Sequence, residues 1–354
     1  MSRRLRLIIY TLAMMLILTA CSDSQKKNET KEPVKSDSQT QKEEQAPPQV
    51  TYPLTGLPAE DEINQRPVGV MINNHPKARP QSGLTQADVV YEALVEGNIT
   101  RFLAIFQSHK PETIGPVRSA RPYFIRLLNG YDGLYVAHGW SPQAKALLRG
   151  GSTPFLQGLY HDGTLFHRAS FRDAPHNSYI SFANIMKGAG DKDYQMTQEV
   201  SPLSFMTEKE KQNIDGTNVK GVSVGYDDDY VVGYQYDETD DAFHRLVNGQ
   251  PSVDRESENP VTAKNVLIIS ADHRFIDSYP RREIDLKSGG PAYLLQNGRL
   301  QNIQWKNVDG RILPSKNGQT LKLVPGQTWI NIVPEKRGLK QAVTINEGDG
   351  ANAN

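Results

Sequence analysis

Short, wholly apolar runs of strand length alternate along the chain with long polar connections. Val68-Gly-Val-Met-Ile72 reads as a buried strand, followed by a polar loop over 73–83 punctuated by Pro76, Pro80 and Gly83. Val89, Tyr91, Ala93 and Val95 alternate with Val90, Glu92, Leu94 and Glu96, and Gly97-Asn98 leads into a run over 101–106, which predicts a hairpin. Apolar residues at 124, 127 and 128 follow Pro122 and stop at Gly130, the signature of a helix with proline in its first turn. Leu134-Tyr-Val-Ala137 is a further buried strand, and Ser141 before Pro142 caps a helix over 143–148. Strand, hairpin, helix, strand, helix predicts a mixed sheet with helices for residues 52–185.

Residues 186–220 carry Gly188, Gly190, Gly216 and many charges and read as a connection. From 221 the runs shorten to 230–236, 266–270, 292–296 and 328–333, punctuated by Asn-Gly pairs at 248, 297 and 317. That texture predicts a mostly β region over 221–354, ending in a polar tail. The expected fold class is α+β: a mixed α/β first domain followed by a mostly β second domain. Trp305 and Trp329 fall on predicted strands and are expected in the core.

The amino terminus changes the picture. Arg3, Arg4 and Arg6 precede an apolar stretch over 7–20, too short to span a bilayer and arranged like an export signal. It ends Leu18-Thr19-Ala20-Cys21, which resembles the lipobox of bacterial lipoproteins. The resemblance implies cleavage after Ala20, a diacylglycerol on the Cys21 thiol and a palmitate-type chain. Two acyl chains give stable anchoring, so the expected location is the outer face of the cytoplasmic membrane. Cys21 is the only cysteine, which excludes an internal disulfide and a multi-thiolate zinc site. Residues 21–51 are polar and of mixed charge, the composition of a disordered tether.

With 354 residues, 37% hydrophobic content and equal numbers of basic and acidic residues, 40 each, the chain is neither a membrane bundle nor a basic nucleic-acid binder. The balance is uneven locally. Residues 101–182 hold nine Arg or Lys against four acids, whereas 221–260 hold ten acids against Arg245 and Arg255.

Ala78-Arg-Pro-Gln-Ser-Gly-Leu84, Ala87-Asp-Val-Val-Tyr-Glu92, Thr100-Arg-Phe-Leu-Ala104, Gly115-Pro-Val-Arg-Ser-Ala-Arg-Pro-Tyr123, Ala174-Pro-His-Asn177 and Gly326-Gln-Thr-Trp-Ile330 together resemble the YerB-like lipoproteins of Gram-positive bacteria. The similarity spans roughly residues 52–335. It implies a lipoprotein with two domains of uncharacterised function and assigns no residue a catalytic role, so the chemistry is read from this chain.

Arg118 and Arg121, at or just before a predicted helix start, suit a carboxylate or phosphate, because guanidinium forks bind both in two-point fashion. The structural alternative is that they pair with Asp88, Glu92 or Glu96. His138 follows a probable sheet strand, where ligands of open α/β sheets collect. Arg172, His176 and Asn177 lie in a polar loop, and folding these loops together makes a pocket. The expected ligand is an anionic wall component, such as a peptidoglycan stem carboxylate or a wall phosphate. Two alternatives stay open: an envelope hydrolase with His138 or His176 as general base, and a scaffold for cell-wall enzymes. No phosphate-cradling loop, dinucleotide fingerprint, nucleophile elbow or His-Glu-x-x-His pattern is present, so no cofactor and no metal are expected. Asp227, Asp228, Asp229, Asp237, Glu238, Asp240 and Asp241 lack the calcium-loop pattern and read as a solvated acidic rim.

Overall fold

The structure, a computed structural model, describes residues 50–60, 63–227 and 229–347. The expected signal peptide, Cys21, nearly all of the tether and the tail from 348 lie outside the described residues, as does Asp228.

Strands arise where apolar runs were expected, over 68–73, 89–94, 100–106, 134–137, 231–237, 265–271, 290–296 and 328–334, and others that were not expected accompany them. In chain order they are β1 (Val68–Asn73), β2 (Val89–Leu94), β3 (Thr100–Phe106), β4 (Leu134–Ala137), β5 (Phe155–Gln157), β6 (Thr217–Gly225), β7 (Val231–Asp237) and β8 (Ala242–Val247). The remainder follow as β9 (Asn265–Ala271), β10 (Gly290–Gln296), β11 (Arg299–Val308), β12 (Arg311–Lys316), β13 (Thr328–Pro334) and β14 (Val343–Glu347). Helices α1 (Pro122–Asn129) and α2 (Pro142–Arg149) fall on the predicted segments, with α3 (Phe182–Gly190) after them. Ser141 caps α2 by accepting from the Ala144 N–H at 3.2 Å. The three Asn-Gly pairs turn with both residues at positive φ, such as Asn248 at 49° and Gly249 at 78°, a conformation that tight hairpins need and few other residues tolerate.

Strand pairing runs β5-β4-β1-β3-β2-β13-β9-β10-β11-β12. β5, β4, β1, β2, β13 and β9 point the same way, and β3 runs against them. Successive side chains leave opposite faces. Val68, Val70 and Ile72 join one core cluster with Val90, Phe102 and Trp329, while Met71 joins another with Tyr91, Leu103 and Ile330. The second face is covered by Phe124, Leu127 and Leu128 of α1 and by Ala144 and Leu148 of α2. The first is covered by α3 and by a second sheet, β14-β6-β7-β8, through Val222, Val232, Tyr234 and Phe243. Burial on both faces explains why these strands read as unbroken apolar runs.

The chain therefore has a helix-containing N-terminal region and a mostly β C-terminal region. In packing the two interlock. β2 of the first pairs in parallel with β13 of the second, Val89 opposite Thr328 through Ala93 opposite Ile332. Phe102 meets the Trp329 ring edge-on at 5.3 Å. All described residues fall in one compact unit. The shift in texture at 186–220 marks a change of composition across a shared core. Trp305 and Trp329 are buried in that core, as expected.

Candidate functional site

A cavity of about 350 Å³ opens beyond the carboxyl ends of β1, β2, β4 and β9, the end of an open sheet where loops from several parallel strands converge. Asn73 and His75 follow β1; Glu96 and Ile99 follow β2; Trp140 and Ser141 follow β4; Tyr279 and Arg281 follow β9. Arg101 enters from the start of β3, opposite Asn73. Arg118, Ser119 and Arg121 come from the segment before α1.

That segment is clamped between two strand ends. The Arg118 N–H donates to the Met71 carbonyl at 2.8 Å, the His138 N–H donates to the Arg118 carbonyl at 3.0 Å, and the Ala120 N–H donates to the Gly139 carbonyl at 2.9 Å. Gly139, at φ 97°, permits this approach, since a Cβ there would sit 2.6 Å from Ser119 Oγ.

Four guanidiniums thus face one carboxylate. Glu96 pairs with Arg101 at 3.0 Å and closely with Arg121, which fixes the mouth of the β2–β3 hairpin against α1. Arg281 pairs with Asp277 at 2.7 Å. Arg118, half-buried, makes no side-chain hydrogen bond or ion pair among the described residues. Burial, followed by the nearby Arg101 guanidinium, lowers Arg118 to about 10, so it stays charged at neutral pH although no acid among the described residues pairs with it.

The histidines add donors. Asn73 Oδ1 accepts from the His75 N–H at 3.1 Å, which leaves Asn73 Nδ2 to donate to His176 Nδ1 at 2.9 Å. His75 Nδ1 accepts from the Lys77 N–H at 3.1 Å. Both neutral rings therefore carry their proton on Nε2, and neither Nε2–H has a partner among the described residues. The rings stack with centroids 4.5 Å apart. Burial, then Lys77, Arg79 and Arg118, lowers His75; burial, then His75 and Arg118, lowers His176. A guanidinium and two imidazole N–H groups form a donor set with no built-in acceptor, the chemistry of an oxyanion site.

Three of the six residues named as binding candidates, Arg118, Arg121 and His176, line this cavity; His138, Arg172 and Asn177 do not. His138 is 9% exposed, its Nε2 accepts from Arg168 at 3.0 Å, and its Nδ1–H donates to Ser178 Oγ at 2.7 Å. Neither ring nitrogen is left for a substrate proton, which removes the geometric basis for a general base there. Arg172 donates closely to the carbonyls of Ala78 and Pro80 and so pins the loop after β1. Asn177 accepts from Arg168 at 3.1 Å and donates to the Ala169 carbonyl at 3.4 Å. These three stabilise loops around the cavity.

The acidic stretch is spent on turns. Asp227 accepts from the N–H groups of Asp229 and Tyr230, Asp237 accepts from Thr239, and Asp240 pairs with His244. Among the described residues no group of three or more His, Cys, Asp or Glu is positioned to hold a metal ion.

Comparison with known proteins places this architecture. The model for the N-terminal domain of DUF3048, a protein of unknown function, matches residues 54–195, and the model for its C-terminal domain matches 222–330. The chain belongs to the DUF3048 family. The motifs over 78–123 and 174–177 lie in the first of these spans and that over 326–330 in the second. The chain is 50% identical over 302 residues to "Putative lipoprotein YerB" of Bacillus subtilis, covering 84% of this chain and 89% of the relative. The crystal structure of the YerB protein from Bacillus subtilis superposes with a TM-score of 0.78 at 48% identity, covering 84% of this chain and all of that one. The resemblance read from the motifs is thus shown.

Within this DUF3048 site, sequence reasoning missed His75, Tyr279 and Arg281, whereas Glu96 was among the expected partners and pairs with Arg121 but not with Arg118. His75 was findable: it follows β1 as His138 follows β4, and β1 and β4 are parallel neighbours. Nothing in the sequence points to Tyr279 or Arg281, which lie some 160 residues from Arg118 and reach the cavity only through the β9–β13–β2 pairing.

Proposed function

We propose that the chain is a membrane-anchored lipoprotein whose cavity holds an anionic cell-envelope ligand on the outer face of the membrane. The Leu18-Thr19-Ala20-Cys21 motif and the relative's name support the anchor, and among the described residues no helix is long and apolar enough to cross a membrane. The observation that carries the ligand reading is Arg118: a half-buried guanidinium in a 350 Å³ cavity, without an acidic partner, beside two free Nε2–H donors. Arg101 and Arg121 share Glu96 and shape the wall.

The test is thermal unfolding of the mature, lipidated chain in detergent with sulfate and with inorganic phosphate. At a hundredfold excess over Kd the expected stabilisation is about 2.7 kcal/mol, a rise in Tm of a few degrees. Arg118→Met should abolish the rise while leaving the unliganded Tm within about one degree, because the side chain holds nothing else. An equal rise in the variant would sink the reading.

The histidines give a second expectation. Both are lowered in the free protein, and a bound anion favours their charged forms, so binding is coupled to proton uptake. Sulfate affinity should rise as pH falls from 7.5 to 5.5, and the rise should flatten in His75→Gln/His176→Gln. Calorimetric titration at several pH values measures it; affinity independent of pH would remove the imidazoles from the site.

A further inference from the structure

The anion donors do not fill this cavity. Trp140, half-buried, and Tyr279, 60% exposed, line it as well, from the loops after β4 and β9. Each ring is held by its neighbours. Trp140 packs edge-on against Phe155 and Tyr160, with centroids 6.1 and 5.6 Å away, and Lys145 Nζ lies 5.9 Å from its ring. Tyr279 carries the Arg281 guanidinium 4.7 Å from its ring centre. A site for a bare oxyanion has no use for two orientated aromatic rings at its rim, each an amphipathic surface with an apolar face and a polar edge. Between these rings the wall is hydrophilic. Ser141 Oγ accepts from Ala144 and keeps its proton to donate, and Glu96 offers carboxylate oxygens that accept. Mixed donors and acceptors match hydroxyl and acetamido groups, whereas a flat aromatic base would need an apolar slot with parallel walls. Apolar C–H faces on rings, hydroxyls on serine and carboxylate, and one negative group on Arg118 are together the surface of a charged sugar.

Resting on the anion-site reading above, we propose that the ligand is an anionic glycan: a pyranose whose carboxylate or phosphate sits on Arg118 and whose ring stacks on Trp140 and Tyr279. The two sources of charge are separable by experiment. Calorimetric titration of the full mature chain uses lactate and inorganic phosphate as bare anions, N-acetylmuramic acid and glucose 6-phosphate as the corresponding anionic sugars, and N-acetylglucosamine as the neutral sugar. One anionic sugar should bind about tenfold or more tightly than its bare anion, and the pair that does so identifies the charge. Tyr279→Leu, an exposed substitution that leaves the core untouched, and Trp140→Phe should each reduce that advantage without changing bare-anion affinity. Equal affinity for sugar and bare anion, an advantage that survives both variants, or neutral sugar binding as well as charged sugar would overturn the glycan while leaving the anion site standing. Absence of binding by every charged probe would overturn both.

Discussion

Replacing Arg245 with methionine is expected to lower the free energy of unfolding by about 3–5 kcal/mol, the cost of leaving a buried charge without its partner. Arg245 of β8 and Glu92 of β2 are 2.9 Å apart, with side chains 1% and 0% exposed. Burial disfavours the Arg245 charge, but the Glu92 carboxylate and then Tyr230 outweigh it and raise Arg245 above its ordinary value. The carboxylate is fully engaged: Glu92 Oε1 also accepts from Tyr230 at 2.6 Å, from Thr100 at 2.9 Å and from Asn74 at 3.3 Å. Arg245 lies against Phe102 and Trp329, 5.2 and 4.9 Å from their ring centres. Without the guanidinium, the Glu92 carboxylate would be a buried charge with no counter-ion. The double variant Glu92→Gln/Arg245→Met should be more stable than Arg245→Met alone, because it removes the orphan charge. Urea unfolding measures both. A loss below about 1 kcal/mol in Arg245→Met would mean that water reaches the pair.

The same experiment reads the interlock. Glu92 belongs to the helix-containing region and Arg245 to the mostly β region, and the ion pair lies in the core that both build. Tyr226 reinforces the junction by donating to the Glu92 carbonyl at 3.1 Å. One coincident transition by tryptophan fluorescence and by circular dichroism is therefore expected.

This junction also marks where the sequence becomes illegible. The strands that were readable were so because their apolar pattern is local: β13 was expected over 328–333 and is found at Thr328–Pro334, whereas β6, which begins at Thr217 with exposed and polar residues, was read as connection. That it lies beside β2 was not readable, since apolar runs buried on both faces are alike and carry no address for a partner more than 200 residues away. The site follows the same rule. Arg118 and Arg121 stand three residues apart in equivalent sequence surroundings, yet only Arg121 reaches Glu96. The difference is set by the clamp of residues 118–120 between β1 and β4, a tertiary constraint. His138 was selected for its place after a strand, a sound rule, but its ring turns toward Ser178 and Arg168, and the parallel neighbour supplies His75 instead.

Acid should weaken the fold through His273, and this second large effect reaches the cavity. His273 opens the hairpin formed by His273–Phe275 and Arg282–Ile284, whose intervening loop carries Tyr279 and Arg281. Its Nδ1–H donates to the Ala271 carbonyl at 2.9 Å, and its Nε2 is buried with no partner. A proton on Nε2 would be a buried charge with no acceptor. Burial accordingly lowers His273 to about 4, with Arg282 adding to the effect against the Ala271 bond and Asp272. The unfolded chain binds this proton first, near pH 6.5, so stability is full above that value and falls as pH drops towards 4. The shift corresponds to about 3 kcal/mol, less whatever water at the partly exposed ring edge returns. His75, His138, His161 and His176 are also lowered and act in the same direction, so His273→Gln should remove only part of the slope. Unfolding measured from pH 7.5 to 4 gives the slope, and titration of the His273 ring protons by NMR gives its midpoint directly; a midpoint near 6.5 would refute the argument. Ligand capture should then pass through an optimum. Protonation of His75 and His176 strengthens anion binding as pH first falls, and protonation of His273 afterwards loosens the hairpin that holds Tyr279 over the sugar ring, so affinity should turn downward below about pH 5, and His273→Gln should move that turn to lower pH.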